Sequence, residues 1–325
     1  MSKNTKYAAA ASAVLAAILI CMAIAPARYA AACLEGLRLW LNFIVPTLFP
    51  FFVLTALLTK LGFAAKASRK LSHFMQKAFR LPGAASYAFM MSALSGYPVG
   101  SRVTADLAQG GFIGREETTF AGALCSTSGP MFVIGSVGAA MFRHAGYGLI
   151  LFASHLIGVV GVSLIAARLR KKAPAARKPL PPLARADNML YESVYGAVLS
   201  ILCVGGFVAL FFVLTEMLSA FKLLAPLGWL FSKIFSLFGA ESAGMGFAVG
   251  LLEVTHGCAA VAQAGKAALP PAAFLITFGG ACILAQQLGY LKRAGAKSGT
   301  FLLCKLAQGT AAFFVCLGLC AVLPI

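Results

Sequence analysis

The residues equipped for chemistry gather in two short polar interruptions of an otherwise apolar chain. The first runs Ser95-Gly96-Tyr97-Pro98-Val99-Gly100-Ser101-Arg102-Val103-Thr104. Glycine and proline stop a helix there and free backbone groups, which hydrocarbon tolerates only inside protein or beside a water-filled cavity. A second helical arm starting near Gly100 or Ser101 would aim free N–H groups and a positive dipole end at the tip, an arrangement suited to an anion. Arg102 adds a bidentate donor for a carboxylate. Ser95, Gly96, Tyr97, Gly100, Ser101, Arg102 and Thr104 are therefore candidate substrate contacts. The competing interpretation is a water-exposed loop with Arg102 snorkelling to head groups.

The second interruption holds Glu253, Thr255 and His256 in strongly apolar surroundings. Ionisable residues inside a membrane are functional candidates by default. Glu253 could carry a coupling ion, proton or sodium, or pair with Arg102. His256 adds an imidazole, a ring that changes charge near neutral pH when unperturbed. Both could instead sit solvated at an interface. "CSTSGP", from Cys125 to Pro130, brings Thr127 and Ser128 into another apolar run, and its counterpart further on ends in Gln286 and Gln287. These four could hydrogen-bond a substrate from behind the two interruptions, or simply join helices. Asp106, Glu116, Glu117 and Glu241 read as arm-end or surface charges.

Such residues need a scaffold, and the composition defines it. The chain is 60% hydrophobic and 11% charged over 325 residues, with mean hydropathy +0.88. A soluble domain carries roughly a quarter charged residues, so this is an all-α polytopic membrane protein. The net charge of +18 sits mostly in clusters between apolar runs, as orientation by the positive-inside rule expects. No basic face with aromatic platforms suggests nucleic acid. The nine cysteines lack metal-ligand spacing and read as small buried hydrophobes. P-loop, HExxH and GxSxG motifs are missing, so neither an enzyme nor a cofactor is expected.

Apolar runs long enough to span fall at about 8–25, 38–59, 118–142, 147–168, 192–220, 271–290 and 299–322. Residues 1–35 form a first span or a signal-like segment; Ala23-Ile24-Ala25 fits a cleavage site. The stretches 84–110 and 242–266 are too broken to span and suit re-entrant helical hairpins. Each follows an amphipathic stretch, 64–80 and 222–238, suited to the membrane surface. With both hairpins re-entrant, 19 of the 27 Lys and Arg residues fall inside and six outside. Arg102 and Lys305 remain in apolar segments. A basic, Pro-rich cytoplasmic linker, 169–190, divides repeat 1 (36–168) from repeat 2 (191–325). "FFVLT" occurs at Phe51 and again at Phe211, and Gly129 can be laid over Gly280. The same order of elements follows each copy, on spans running in opposite directions. Inverted repeats with interrupted helices are a transporter pattern, with the binding site where the breaks meet near the midplane.

The motifs "LPGAASYAFMMSALSGYPVGSRVTADL", "STSGPMFVIGSVGAAMF", "HLIGVVGV" and "GLLEVTHG" resemble the YlbJ-type (SpoVV) sporulation integral membrane proteins, which belong with the nucleoside-recognition or Gate domain proteins. The resemblance covers nearly the whole chain after about residue 30. It implies a fold like the concentrative nucleoside transporters and a role in endospore formation, moving dipicolinic acid across the outer forespore membrane. That family usually has Lys after SGYPVGA, where this chain has Ser101-Arg102, and often Asn before SGP, where this chain has Ser126-Thr127. The expectation is a multi-pass bacterial membrane protein that transports a small organic anion, most simply dipicolinate. The alternatives are a transporter of nucleosides or other organic anions and a non-transporting scaffold for spore assembly. Homo-oligomerisation is left open.

Overall fold

A computed structural model describes residues 3–170 and 188–323. Most of the basic linker lies outside the described residues. Among those described there is no strand, and the helices follow the apolar runs.

Helix α1 spans Lys3–Ile24 and α2 spans Pro26–Leu39. Proline at the first position of α2 has no N–H to leave unsatisfied and a φ already set for helix. A short wide turn, Trp40–Ile44, leads into α3, Val45–Lys60. Then come the amphipathic α4 (Phe63–Phe79), the pair α5 (Ala85–Ser95) and α6 (Val99–Gln109), and α7 (Arg115–Leu124). A wide-turn helix, Met131–Met141, precedes the long α8, Ala145–Leu169. The second half opens with α9 (Met189–Ala220) and α10 (Ala225–Ser236). The short α11 (Gly244–Gly250) and α12 (Val254–Ala262) follow, then α13 (Leu269–Phe278), α14 (Gly280–Leu291) and α15 (Ser298–Val322).

The order in each half is the same. A helix carrying FFVLT is followed by an amphipathic helix, a broken pair, a helix with a gap in it, and a long apolar helix. The two FFVLT helices, α3 and α9, pack together, and so do the two closing helices, α8 and α15.

Two expected spans are corrected. Residues 118–142 are not one helix: α7 stops at Leu124, and Cys125–Pro130 is irregular before Met131–Met141 begins. Residues 271–290 are split at Gly279–Gly280, both with positive φ. Among the described residues, five apolar runs are long enough to cross a membrane: Pro26–Lys60, Ala145–Leu169, Met189–Ala220, Val254–Leu291 and Ser298–Val322. In the most apolar 18-residue stretch of Val254–Leu291, 78% of the residues are buried, against 22–39% in the other four. It therefore forms the interior, while the others turn side chains such as Leu54, Leu202, Leu210, Leu303 and Phe314 outward. In a bilayer that outward face meets lipid. The main core joins Leu48 and Phe52 of α3, Phe132 and Val133, Val204, Val208 and Phe212 of α9, Phe247, and Leu275 and Ile276. It surrounds the interruptions.

Candidate functional site

Four interruptions of helix meet in this core, two from each half. In the first half, the turn Gly96–Pro98 folds α6 back along α5. Its Gly96 has φ +76° and lies so close to the Cys125–Pro130 gap that a Cβ there would sit 2.5 Å from the Gly129 nitrogen. Only glycine fits, both for its torsion and for its space. Ser92 of α5 fastens the same contact: its Oγ lies 2.7 Å from Thr127 Oγ1 and accepts from the Thr127 N–H at 3.0 Å.

The second half repeats the device. Leu251–Glu253 links α11 to α12, and the carbonyls of Leu251 and Leu252 accept from the N–H groups of Ala281 and Cys282 at 2.8 and 2.9 Å. Those N–H groups belong to the first turn of α14, where no intrahelical partner exists. Gly280, φ +68°, presses against the same turn, and a Cβ would meet the Gly250 oxygen at 2.7 Å. The halves are then joined directly. Tyr97 donates its hydroxyl proton to the Ile276 carbonyl at 3.1 Å, one of the acceptors that the end of α13 leaves open.

Between the two turns lies a cavity with about 470 Å³ of empty space, part of it open to solvent. Ser95, Gly96, Tyr97, Ser128, Glu253, Thr255 and Gln286 line it, all seven candidates from the sequence. Gly129 and apolar side chains, Leu48, Phe132, Val204, Val208 and Ile283 among them, complete the wall. Such a pocket, mostly apolar with a few convergent polar groups, is the usual form of a small-molecule site. Glu253 is 1% exposed, and its Oε2 accepts from the His256 N–H at 2.6 Å, capping α12. The capping role is a structural duty that any ion-carrying role must share.

The other candidates lie elsewhere. Thr104 donates to the Gly100 carbonyl within α6, and Gly100 packs against the Cys125 carbonyl. Ser101 and Gln287 are fully buried, and neither the Ser101 hydroxyl nor the Gln287 amide has a partner among the described residues. Thr127 is held by Ser92. His256 stacks on Phe212 with ring centroids 4.3 Å apart, facing α9 and not the cavity. Arg102 is on the exposed side of α6. No hydrogen bond or ion pair joins it to Glu253 among the described residues; Glu216, by contrast, is paired with Arg28.

The comparisons with known proteins bear on this arrangement. Residues 43–148 match the family model Gate, described as nucleoside recognition. The "Sporulation integral membrane protein YlbJ" of Bacillus subtilis (strain 168) is 30% identical, across 87% of this chain and 75% of that protein. The chain belongs to this family of sporulation integral membrane proteins. No solved structure matches it. In this family member the Gate segment contains the first hairpin and the gap behind it, while the second hairpin and the split of α13 from α14 lie outside.

Three polar residues, two of them ionisable, that hold this family member's interruptions in place were not among the sequence candidates. His155 of α8 accepts the Ser128 N–H on Nε2 at 2.9 Å, which leaves the proton of the neutral ring on Nδ1. That N–H lies 3.0 Å from Thr277 Oγ1, and Thr277 donates onward to the Ala273 carbonyl. One imidazole thus ties the first gap to the helix before the second. Lys305 of α15 is fully buried and donates to the Ser126 carbonyl at 2.9 Å. One turn on, Gln308 Nε2 donates to the Ala123 carbonyl at 3.1 Å. The signal for His155 and Lys305 was a lone ionisable residue in an apolar run.

Proposed function

We propose that this sporulation membrane protein is a secondary transporter whose substrate occupies the cavity between the two hairpin turns. The observation that supports this most strongly is the meeting of four helix interruptions, two from each half, on one partly polar cavity. The repeated order of elements fits two inverted repeats of the concentrative-nucleoside-transporter kind, with both hairpins re-entrant. Discontinuous helices that meet at a repeat interface are where such transporters bind solute. Alternating access would then come from movement of the hairpins against the long helices.

The substrate class follows from lining and family. The cavity suits a small ring flanked by Tyr97, Phe132 and aliphatic walls, with Ser95, Ser128, Thr255 and Gln286 to orient it. Kinship with sporulation membrane proteins supports a small organic anion, dipicolinate first, moved across the outer forespore membrane. Glu253 is the group for a coupling proton or sodium ion. A nucleoside is the second reading. It is favoured by a lining of hydroxyls, an amide and one carboxyl, with no Lys or Arg.

The test is uptake of labelled dipicolinate by sealed vesicles carrying the purified protein, with uridine as competitor. Transport should exceed that of protein-free vesicles, and Thr255→Ala should reduce it. Preferential transport of uridine would move the assignment to nucleosides. No transport of either solute by folded protein would leave the scaffold role.

A further inference from the structure

An anion in this cavity meets one carboxyl, Glu253, and no basic side chain in the wall. Helix N-termini favour an anion in part, and a basic side chain would add to them; the described residues narrow the choice. Arg102 is exposed on α6. His155 is held as a neutral ring by the Ser128 N–H that its Nε2 accepts. Lys305 is the one Lys or Arg among the described residues that is fully buried.

The position of Lys305 is specific. Its amine donates to the carbonyl of Ser126, in the irregular stretch behind the first hairpin turn. Ser128 and Gly129 of that same stretch line the cavity. Two residues of extended chain span at most about 7 Å, so the amine lies one layer of backbone behind the wall. Ser126, Thr127 and Ser128, the stretch between the amine and the cavity, are fully buried, so little water intervenes to screen the charge. Glu253 belongs to the opposite turn. The cavity thus has a carboxyl on the second-hairpin side and the Lys305 amine behind the first-hairpin side.

We infer that Lys305, in its ammonium form when the cavity holds an anion, supplies the positive potential that selects an anion over a neutral solute of the same shape and draws its carboxylate toward Ser128 and Gly129. This inference rests on the transport reading of the cavity. Lys305 is a specificity-determining residue here, acting through one layer of backbone.

The test measures affinity of the purified full-length protein for dipicolinate, picolinate and pyridine-2,6-dicarboxamide, a dianion, a monoanion and a neutral isostere. The wild type should bind them in that order. Lys305→Met should weaken dipicolinate on the order of a hundredfold and picolinate on the order of tenfold, as loss of a charge about 10 Å from each carboxylate at an effective dielectric near 20 implies, and leave the dicarboxamide within about twofold. Lys305→Arg should keep the preference for the dianion. A uniform loss for all three ligands in folded Lys305→Met would assign Lys305 a structural role and overturn the inference. So would an unchanged preference in that variant. Should Lys305→Met not fold, a wild type that binds the neutral isostere as tightly as the dianion overturns it alone. A wild type that binds none of the three defeats the transport reading itself, and is thereby distinguished from failure of the Lys305 assignment.

Discussion

At the scale of single residues, the site depends on backbone contacts that only glycine permits. Gly96 combines a positive φ with a contact that a Cβ would bring to 2.5 Å from backbone. Gly111 has the same kind of torsion, φ +77°, with nothing within 4 Å of its would-be Cβ. Gly111→Ala should therefore cost about 1–2 kcal/mol, the price of the torsion alone. Gly96→Ala adds a backbone collision and should cost more than about 3 kcal/mol. Thermal unfolding of the two variants side by side checks the difference. Glu253 separates in the same way. Glu253→Gln keeps an acceptor for the His256 N–H, so its unfolding temperature should stay near wild type while ion-driven accumulation is lost. Glu253→Ala also removes the cap, at about 1 kcal/mol. The residue types were legible in the sequence, because glycine, proline, hydroxyls and a carboxyl are conspicuous in apolar runs. Their facing was not. Arg102 and Lys305 are both cations in apolar segments, and only packing turns one outward from α6 and the other inward from α15.

At the scale of elements, the hairpins were readable and the split helices less so. Residues 84–110 announce a break by containing SGYPVGS. Residues 271–290 hide theirs, since two glycines between Phe278 and Ala281 barely alter hydropathy, and the gap forms because Gly279 and Gly280 adopt positive φ against the second turn. The elements are then tied by a few polar contacts. His155→Ala would leave the Ser128 N–H and the Thr277 hydroxyl short of a partner in a dry core, and should destabilise by about 2–5 kcal/mol. Tyr97→Phe removes a single hydrogen bond to the Ile276 carbonyl and should cost about 1–2 kcal/mol. It should also loosen the first turn from α13. Chemical denaturation of both variants, followed by tryptophan or circular dichroism signal, would rank them. A larger effect from Tyr97→Phe than from His155→Ala would contradict the picture of His155 as the tie between the two gaps.

At the scale of the whole molecule, composition alone declares a helical membrane protein, and the repeated FFVLT marks the start of each half. The path of the linker between them falls largely outside the described residues, so the charge count remains the argument for orientation. On the proposed transport function, the cavity bounded by Ser95–Tyr97, Ser128–Gly129, Glu253–Thr255 and Gln286 holds the solute. Ligand-dependent thermal stability tests it most directly, because a bound ligand stabilises by mass action. Val204 lines the cavity from α9, and Val204→Phe reduces its space without replacing a polar group. Dipicolinate should raise the unfolding temperature of the wild type in a saturable manner and leave that of folded Val204→Phe unmoved. Equal stabilisation of both proteins, or none of the wild type by either dipicolinate or a nucleoside, would contradict the account.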